Sequence, residues 1–208
     1  MGVKKIIDRV STEVETIFGH ARKDKLYDSE RTFATPAEAE AAFARAKAKL
    51  LDVNRWSDLS GLSARFELHD RHGRPTLEPA SDVGQFIRIL LPGPLPENWV
   101  EITDIQEEPH ALQFTVHPCT DPQSNDEHVE HFFVKEASST FRVEQKGTTL
   151  AAYEIGENEG INNKGKEAGA RSALNTVISE GAWMAFQEIQ WNKLTNYLVH
   201  NDEYEGRN

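Results

Sequence analysis

Histidines and a cysteine near the middle of the chain are the residues whose types could bind a metal ion. His128 and His131 are three positions apart, and His117 and Cys119 precede them. Zinc needs three or four nitrogen, sulfur or oxygen donors that converge on one point. The segment around the two histidines reads as loop leading into strand, and residues three apart on a strand point to opposite sides of the sheet. We therefore predict solvated histidines, with no metal and no cofactor.

A lone arginine, Arg88, stands inside the apolar stretch from Gln85 to Leu91. A buried guanidinium needs an anionic partner. Two explanations stay open from the sequence. Arg88 lies outward and forms a structural pair with Glu101 or Asp104, or it lies in a cavity and fixes the carboxylate or phosphate of a ligand.

No other pattern predicts catalysis. Three serines, Ser138, Ser139 and Ser172, lack a nucleophile-elbow motif and a recognisable base. The glycines between residues 156 and 165 are accompanied by Glu157 and Glu159, which would repel a phosphate. We assign no catalytic residue.

The composition excludes some classes of partner. The 208 residues are 38% hydrophobic and 27% charged, as is typical of globular proteins. A net charge of −11 repels nucleic acid and anionic membranes, and no apolar run is long enough to span a bilayer. The single cysteine, Cys119, fits a reducing compartment. We predict a cytoplasmic protein with no nucleic-acid partner and no membrane insertion.

The N-terminal part of the chain reads as an amphipathic helix over 3–18 and a polar linker over 19–35. Val3, Ile7, Val10, Val14 and Ile17 recur at alternating spacings of four and three. This seam is little more than two heptads long, so it must dock on something. Docking on the protein's own body and pairing in a homodimer are both open.

A second helix and a run of strands follow. Thr35-Pro36-Ala37-Glu38 has the cap, the first-turn proline and the first-turn acid that start a helix, which continues to Leu51. Residues 129–144 are harder to assign, and Lys146-Gly147 signals a hairpin. The other strands are predicted from alternating or dense apolar residues at 63–69, 85–91, 99–106, 111–117 and 149–156.

The last predicted element is one long helix from about Glu167 to His200. The segregation of strands and helices predicts an α+β fold. A single long helix after a run of antiparallel strands can bury itself by lying across a strongly curved sheet. Such packing leaves a hollow between the helix and the sheet.

These elements resemble the START-like helix-grip superfamily, also called SRPBCC or pollen-allergen-like. The similar residues are Val53-x-x-Trp56-x-x-Leu59, the strand 63–69, the segment 82–88, the strand at 99–102 and the long terminal helix. The similarity covers roughly residues 36–200 and is closest to an uncharacterised bacterial branch. It implies a six- or seven-stranded antiparallel sheet wrapped around the helix, with an internal cavity. Members bind lipids, sterols, polyketides or other apolar molecules, and some are cyclases or hydrolases.

Two features depart from the superfamily pattern: the N-terminal extension and the proline-rich segment 92–96. No catalytic motif of the superfamily is recognisable, so the resemblance transfers no activity. We predict a helix-grip domain over 35–208, preceded by the extension 1–34.

The predicted function is binding of an apolar or amphipathic, lipid-like small molecule in the cavity. Two alternatives remain. One is an enzyme of the same fold, a cyclase, dehydratase or hydrolase, using Arg88 with His117 or His131. The other is an interaction module that uses the helix 3–18. The candidate lining residues are large or polar side chains of the strands and the last helix: Phe86, Arg88, Trp99, Phe114, Phe133, Trp183, Met184 and Trp191.

Overall fold

The computed structural model describes residues 23–59, 64–91, 97–124, 136–159 and 180–202, without the side chains at positions 23, 159 and 180–186. The predicted helix over 3–18 and the proline-rich segment 92–96 lie outside these residues. So do His128, His131 and the predicted start of the last helix at Glu167. The described elements are β1 Lys23–Thr32, α1 Pro36–Leu51, α2 Val53–Trp56, β2 Arg65–His69, β3 Phe86–Leu90, β4 Asn98–Glu108, β5 Ala111–Cys119, β6 Ser138–Lys146, β7 Thr149–Glu159 and α3 Glu180–Leu198.

Seven strands of the described chain form one antiparallel sheet in the order β1-β7-β6-β5-β4-β3-β2. From β2 to β7 each strand pairs with its neighbour in sequence, and β1 adds to the free edge of β7. The register shifts between Ile102 and Asp104 in β4, and such a bulge bends the strand that carries it. The predicted α+β fold, a curved antiparallel sheet with a long C-terminal helix, is confirmed.

The predicted linker over residues 19–35 is wrong for residues 23–32. This segment is β1, with Leu26 paired to Ile155 and Arg31 to Leu150. The segment is polar because β1 is an edge strand, and several of its side chains face solvent. The helix-grip unit therefore begins at or before residue 23, not at residue 35.

Helix α1 begins where its sequence predicts. The Thr35 hydroxyl accepts from the Glu38 backbone N–H at 3.2 Å, and the Glu38 carboxylate accepts from the Thr35 backbone N–H at 3.2 Å. This reciprocal capping box satisfies two backbone donors that the first turn leaves open. The buried side of the helix carries mostly small residues, which let it lie close to the sheet: Ala39, Ala42, Phe43, Ala46 and Leu50.

The hairpin between β6 and β7 turns at Lys146-Gly147, as predicted. Lys146 pairs with Thr149, and Gly147 has a φ of +60°, a left-handed conformation that glycine adopts without a steric cost. Helix α3 lies on the side of the sheet that carries the apolar core, mainly against β1 and β7. No helix in the described ranges is both long and apolar enough to cross a membrane.

Candidate ligand-binding site

A small hollow of about 60 Å³ lies between the helices and the face of the sheet that carries the core, which we call the inner face. Five strands, two helices and the segment before β6 contribute to its wall. No described lining residue is charged, and Ser138 and Ser139 supply the hydroxyl groups. The lining is formed by Trp56, Phe66, Ile87, Ile89, Val100, Val116, Pro118, Ala137, Ser138, Ser139, Phe141 and Trp191.

Trp56, at the end of α2, holds one side of the hollow. Its ring is 1% exposed and stacks on Phe114 at 6.1 Å between ring centroids. It also contacts Phe66 and Phe141, at 5.6 and 5.1 Å. The indole N–H donates to the backbone carbonyl of Lys49 at 3.0 Å. Because the ring is packed on several sides and its polar atom is satisfied, Trp56 is a fixed wall of the hollow.

Trp191, from α3, forms the opposing aromatic contact. Its ring lies 5.4 Å from that of Phe141 and 6.3 Å from that of Phe66. Its indole Nε1 is buried and has no hydrogen-bond partner in the part of the chain that the structure describes. Trp191 is a predicted site residue, and the structure places it in the lining.

The pairing register determines which of the other predicted residues can reach the hollow. Ile87 pairs with Leu68 and Val100, and these residues share the inner face. Arg88 pairs with Glu67 and Trp99, so it lies on the opposite, outer face. The alternation of side chains along a strand therefore separates the two sets.

The register contradicts the prediction that three of the residues line the cavity, namely Phe86, Arg88 and Trp99. All three lie on the outer face, where Phe86 pairs with Glu101 and Trp99 pairs with Cys119. They are not part of the lining of the hollow. The physical reason is that the sequence Phe-Ile-Arg-Ile-Leu of β3 places apolar residues on both faces of the strand. Its composition therefore does not identify the inner face.

The guanidinium of Arg88 is neutralised on the outer face by two carboxylates. Its Nη1 donates to Glu67 at 3.0 Å and its Nε donates to Glu97 at 2.9 Å. The hydrogen bonds to Glu97 raise the pKa of Arg88 above its ordinary value. Arg88 therefore forms structural ion pairs on the outer face, and its guanidinium does not line this hollow.

Phe114 lies on the inner face but behind the lining. It is fully buried and packs between Trp56 and Phe141, at 6.1 and 5.3 Å. It supports two residues of the wall without reaching the hollow. The remaining predicted residues, Phe133, Trp183 and Met184, have side chains outside the described residues.

The combination of Arg88 with His117, considered for an enzyme, is not in the hollow. His117 pairs with Glu101 on the outer face, and its Nδ1 lies 2.9 Å from the hydroxyl of Thr103. Nearby, burial and the negative charges of Glu101 and Asp121 raise the pKa of the Cys119 thiol to about 12. The thiol is protonated at neutral pH and is a poor nucleophile. No metal-binding group of three or more acidic, histidine or cysteine residues occurs among the described residues.

Several lining residues do not stand out in the sequence, namely Ile87, Ile89, Val100 and Val116. One signal could have identified them. A charged residue in the middle of a half-buried strand marks the outer parity, so Arg88 assigns Ile87 and Ile89 to the inner face. Trp56 was visible in the motif Val53-x-x-Trp56, but its position over the sheet requires the fold.

A second part of the inner face, beneath α3, is polar. Lys25 Nζ donates to the side-chain oxygen of Gln187, and the hydroxyls of Ser29 and Thr195 are 2.9 Å apart. Gln187, Gln190 and Thr195 are each at most 3% exposed. Glu154 is fully buried on β7, paired with Phe141 of the lining. Buried carboxylates are rare in proteins. The polar groups beneath α3 are therefore the described part of the interior that could take part in a chemical reaction.

Comparison with known proteins supports the fold. No protein-family model matches the chain, and no curated protein matches it. A solved structure of a hypothetical protein from Helicobacter pylori is 10% identical with a TM-score of 0.52, covering 88% of this chain and 98% of its own.

Two plant structures are also similar. The major latex-like protein 151 of Panax ginseng is 12% identical with a TM-score of 0.44, over 86% of this chain and 97% of its own. A norcoclaurine synthase of Thalictrum flavum, solved with a transition-state analogue, is 10% identical with a TM-score of 0.42, over 90% of this chain and all of its own. At such identities a likeness concerns the fold alone, and the Helicobacter protein carries that conclusion. The chain has a helix-grip α+β fold, in which a curved antiparallel sheet packs against a long helix.

Proposed function

We propose that this protein binds a small apolar or amphipathic molecule in the hollow between α3 and the inner face of the sheet. The observation that supports this is the uncharged, aromatic-walled space of about 60 Å³ that the described residues of the inner face and the helices enclose in part. Protein interiors contain few voids of this size. A void of this kind costs stability, which a bound apolar group would recover.

The size of the hollow limits what enters it. An apolar cavity that binds benzene measures about 150 Å³, so the space among the described residues holds only a short group or one end of a longer molecule. Each 100 Å² or so of apolar ligand surface removed from water contributes roughly 2.5 kcal/mol. A lipid-like ligand would therefore gain only part of its affinity here.

The test is mass spectrometry under native conditions on protein purified from its own host. We expect a bound small molecule that solvent extraction removes. Ala137→Leu fills the hollow and should abolish the bound mass. Ala48→Leu makes the same change on the exposed side of α1 and should retain it. Equal occupancy in both variants, or no bound molecule in the unaltered protein, contradicts the proposal.

An enzyme of the same fold is the second candidate, and the buried carboxylate of Glu154 favours it. Glu154 pairs with Tyr27 on one side and Phe141 on the other, next to the wall of the hollow. A carboxylate held out of water is suited to act as a general base. If the molecule extracted from the host is chemically converted by the protein, Glu154→Gln should abolish turnover and preserve binding. Turnover that persists in this variant excludes the role.

We also propose two finer points that rest on the sequence: a cytoplasmic location, from the single cysteine, and a homodimer formed through residues 3–18. The first residue of β1 determines which deletion can test the dimer. A deletion must end at residue 22, because β1 begins at Lys23. Loss of a dimer by light scattering, with the fold retained, supports this assembly, and an unchanged mass per particle contradicts it.

A further inference from the structure

The hollow has two tryptophans in its wall, and their polar atoms differ. The indole N–H of Trp56 donates to the carbonyl of Lys49 at 3.0 Å. The indole Nε1 of Trp191 is buried without a partner in the described residues. Both rings contact Phe66 and Phe141, so the two side chains share one environment.

An indole N–H can only donate a hydrogen bond, and leaving it buried without an acceptor costs free energy. The hydroxyls of Ser138 and Ser139, elsewhere in the lining, can rotate to donate or accept and so impose no such requirement. Among the described lining groups, the indole N–H of Trp191 is the donor that lacks a hydrogen-bond acceptor. A ligand could supply that acceptor.

The uncharged lining of the hollow disfavours an acceptor that carries a negative charge. No described lining residue carries a charge, and Arg88 is paired with Glu67 and Glu97 on the outer face. An anion moved from water into such a space without a cation is strongly disfavoured. A carboxylate or phosphate is thus a poor occupant, whereas a neutral oxygen keeps one hydrogen bond at little cost.

We infer that the ligand places a neutral hydrogen-bond acceptor, a carbonyl or ether oxygen, against the Trp191 indole N–H, with its apolar body against the aromatic wall. This inference rests on the proposed function and narrows it. It separates ketones, aldehydes, esters and ethers from fatty acids, which bring a carboxylate, and from plain hydrocarbons, which bring no acceptor.

The test uses two probes of nearly the same shape that are small enough for the hollow, acetone and 2-methylpropene, which differ in a C=O against a C=CH₂ group. Their affinities are measured by titration in ¹H–¹⁵N correlation spectra of the full chain, in which the indole N–H signals of the tryptophans are resolved. The signal of Trp191 is assigned by its loss in Trp191→Phe. We expect the ketone to shift this signal downfield and the alkene to leave its hydrogen-bond shift unchanged.

The ratio of the two affinities is compared between proteins, so that the different hydration of the probes cancels. In Trp191→Phe the preference for the ketone should fall by about tenfold, the loss of one hydrogen bond. In the control Trp99→Phe, which changes a tryptophan of the outer face that is not part of the lining, the preference should be retained. If Trp191→Phe does not fold, the Trp191 indole signal is assigned by through-bond correlation experiments on the unaltered protein, whose spectrum then gives the decisive reading.

The outcomes separate the inference from the function on which it rests. A ratio unchanged by Trp191→Phe, or a ketone that does not move the Trp191 signal, overturns the inference and leaves binding in the hollow intact. Failure of both probes to bind the unaltered protein overturns the proposed function and the inference together.

Discussion

Two regions lie on the inner face of the sheet, and they are built differently. Over β1 and β7, polar side chains join the sheet to α3, with Lys25 bonded to Gln187 and Ser29 to Thr195. Over β2 to β6, the described side chains that border the hollow are mainly aromatic and aliphatic. Directional bonds define where the helix lies, whereas the apolar contacts tolerate an incompletely filled space. One helix is thus fixed on one side and borders a space on the other.

The largest effect should come from truncating the residue that holds the apolar region. Trp56→Ala should lower the free energy of unfolding by about 3–5 kcal/mol, since a fully buried aromatic ring is lost. Trp191→Ala should cost less by at least about 1 kcal/mol, because its ring is half-buried and already borders a space. Urea unfolding followed by circular dichroism measures both. Equal losses would show that the two rings are equally packed and that the space is not significant.

A smaller change in stability should distinguish a position that borders the hollow from a fully packed position in the same sheet. Val116→Ile adds one methylene at the wall of the hollow and should be neutral or stabilise by up to about 0.8 kcal/mol. Val143→Ile makes the same change at a fully buried position outside the lining and should destabilise by about 1–3 kcal/mol. Thermal unfolding of the pair is the measurement. The comparison fails if both substitutions destabilise to the same extent.

The smallest effect should come from the polar region. The Thr195 hydroxyl donates to the carbonyl of Asn192 at 3.1 Å, so it accepts from Ser29 at 2.9 Å. Thr195→Val leaves the Ser29 donor unsatisfied and should cost about 1 kcal/mol. The double variant with Ser29→Ala should recover part of that loss, because both partners are then removed. Additive losses in the double-mutant cycle would show that the two hydroxyls do not interact.

Much of the fold could be predicted from local sequence. The capping box at Thr35 and Glu38 and the hairpin at Gly147 depend on neighbours within four residues, which a sequence displays directly. β1 could not be recognised in the same way. An edge strand needs only part of its surface to be apolar, and its partner Ile155 is more than a hundred residues away.

The site was less accessible to prediction, for a geometric reason. A shift of one residue in strand register moves every side chain to the other face. In β3 both faces carry apolar residues, so Phe86 and Ile87 are equivalent as sequence but lie on opposite sides of the sheet. Trp191 was predictable because helical spacing places it on the buried side of α3 with Leu194 and Leu198. The size of the hollow depends on the packing of several elements and has no local signature.

The contacts between β1 and α3 join the start of the described chain to its end. The hydrogen bonds of Lys25, Ser29 and Arg31 reach partners 162, 166 and 169 residues later. During synthesis at the ribosome, the sheet can assemble before α3 has emerged, but the inner face of the sheet stays hydrated until α3 docks. Pairings over such long sequence distances form slowly. Closure of the interior thus depends on contacts that form late in folding, and until they form the future binding space is open to whatever the surrounding solution contains.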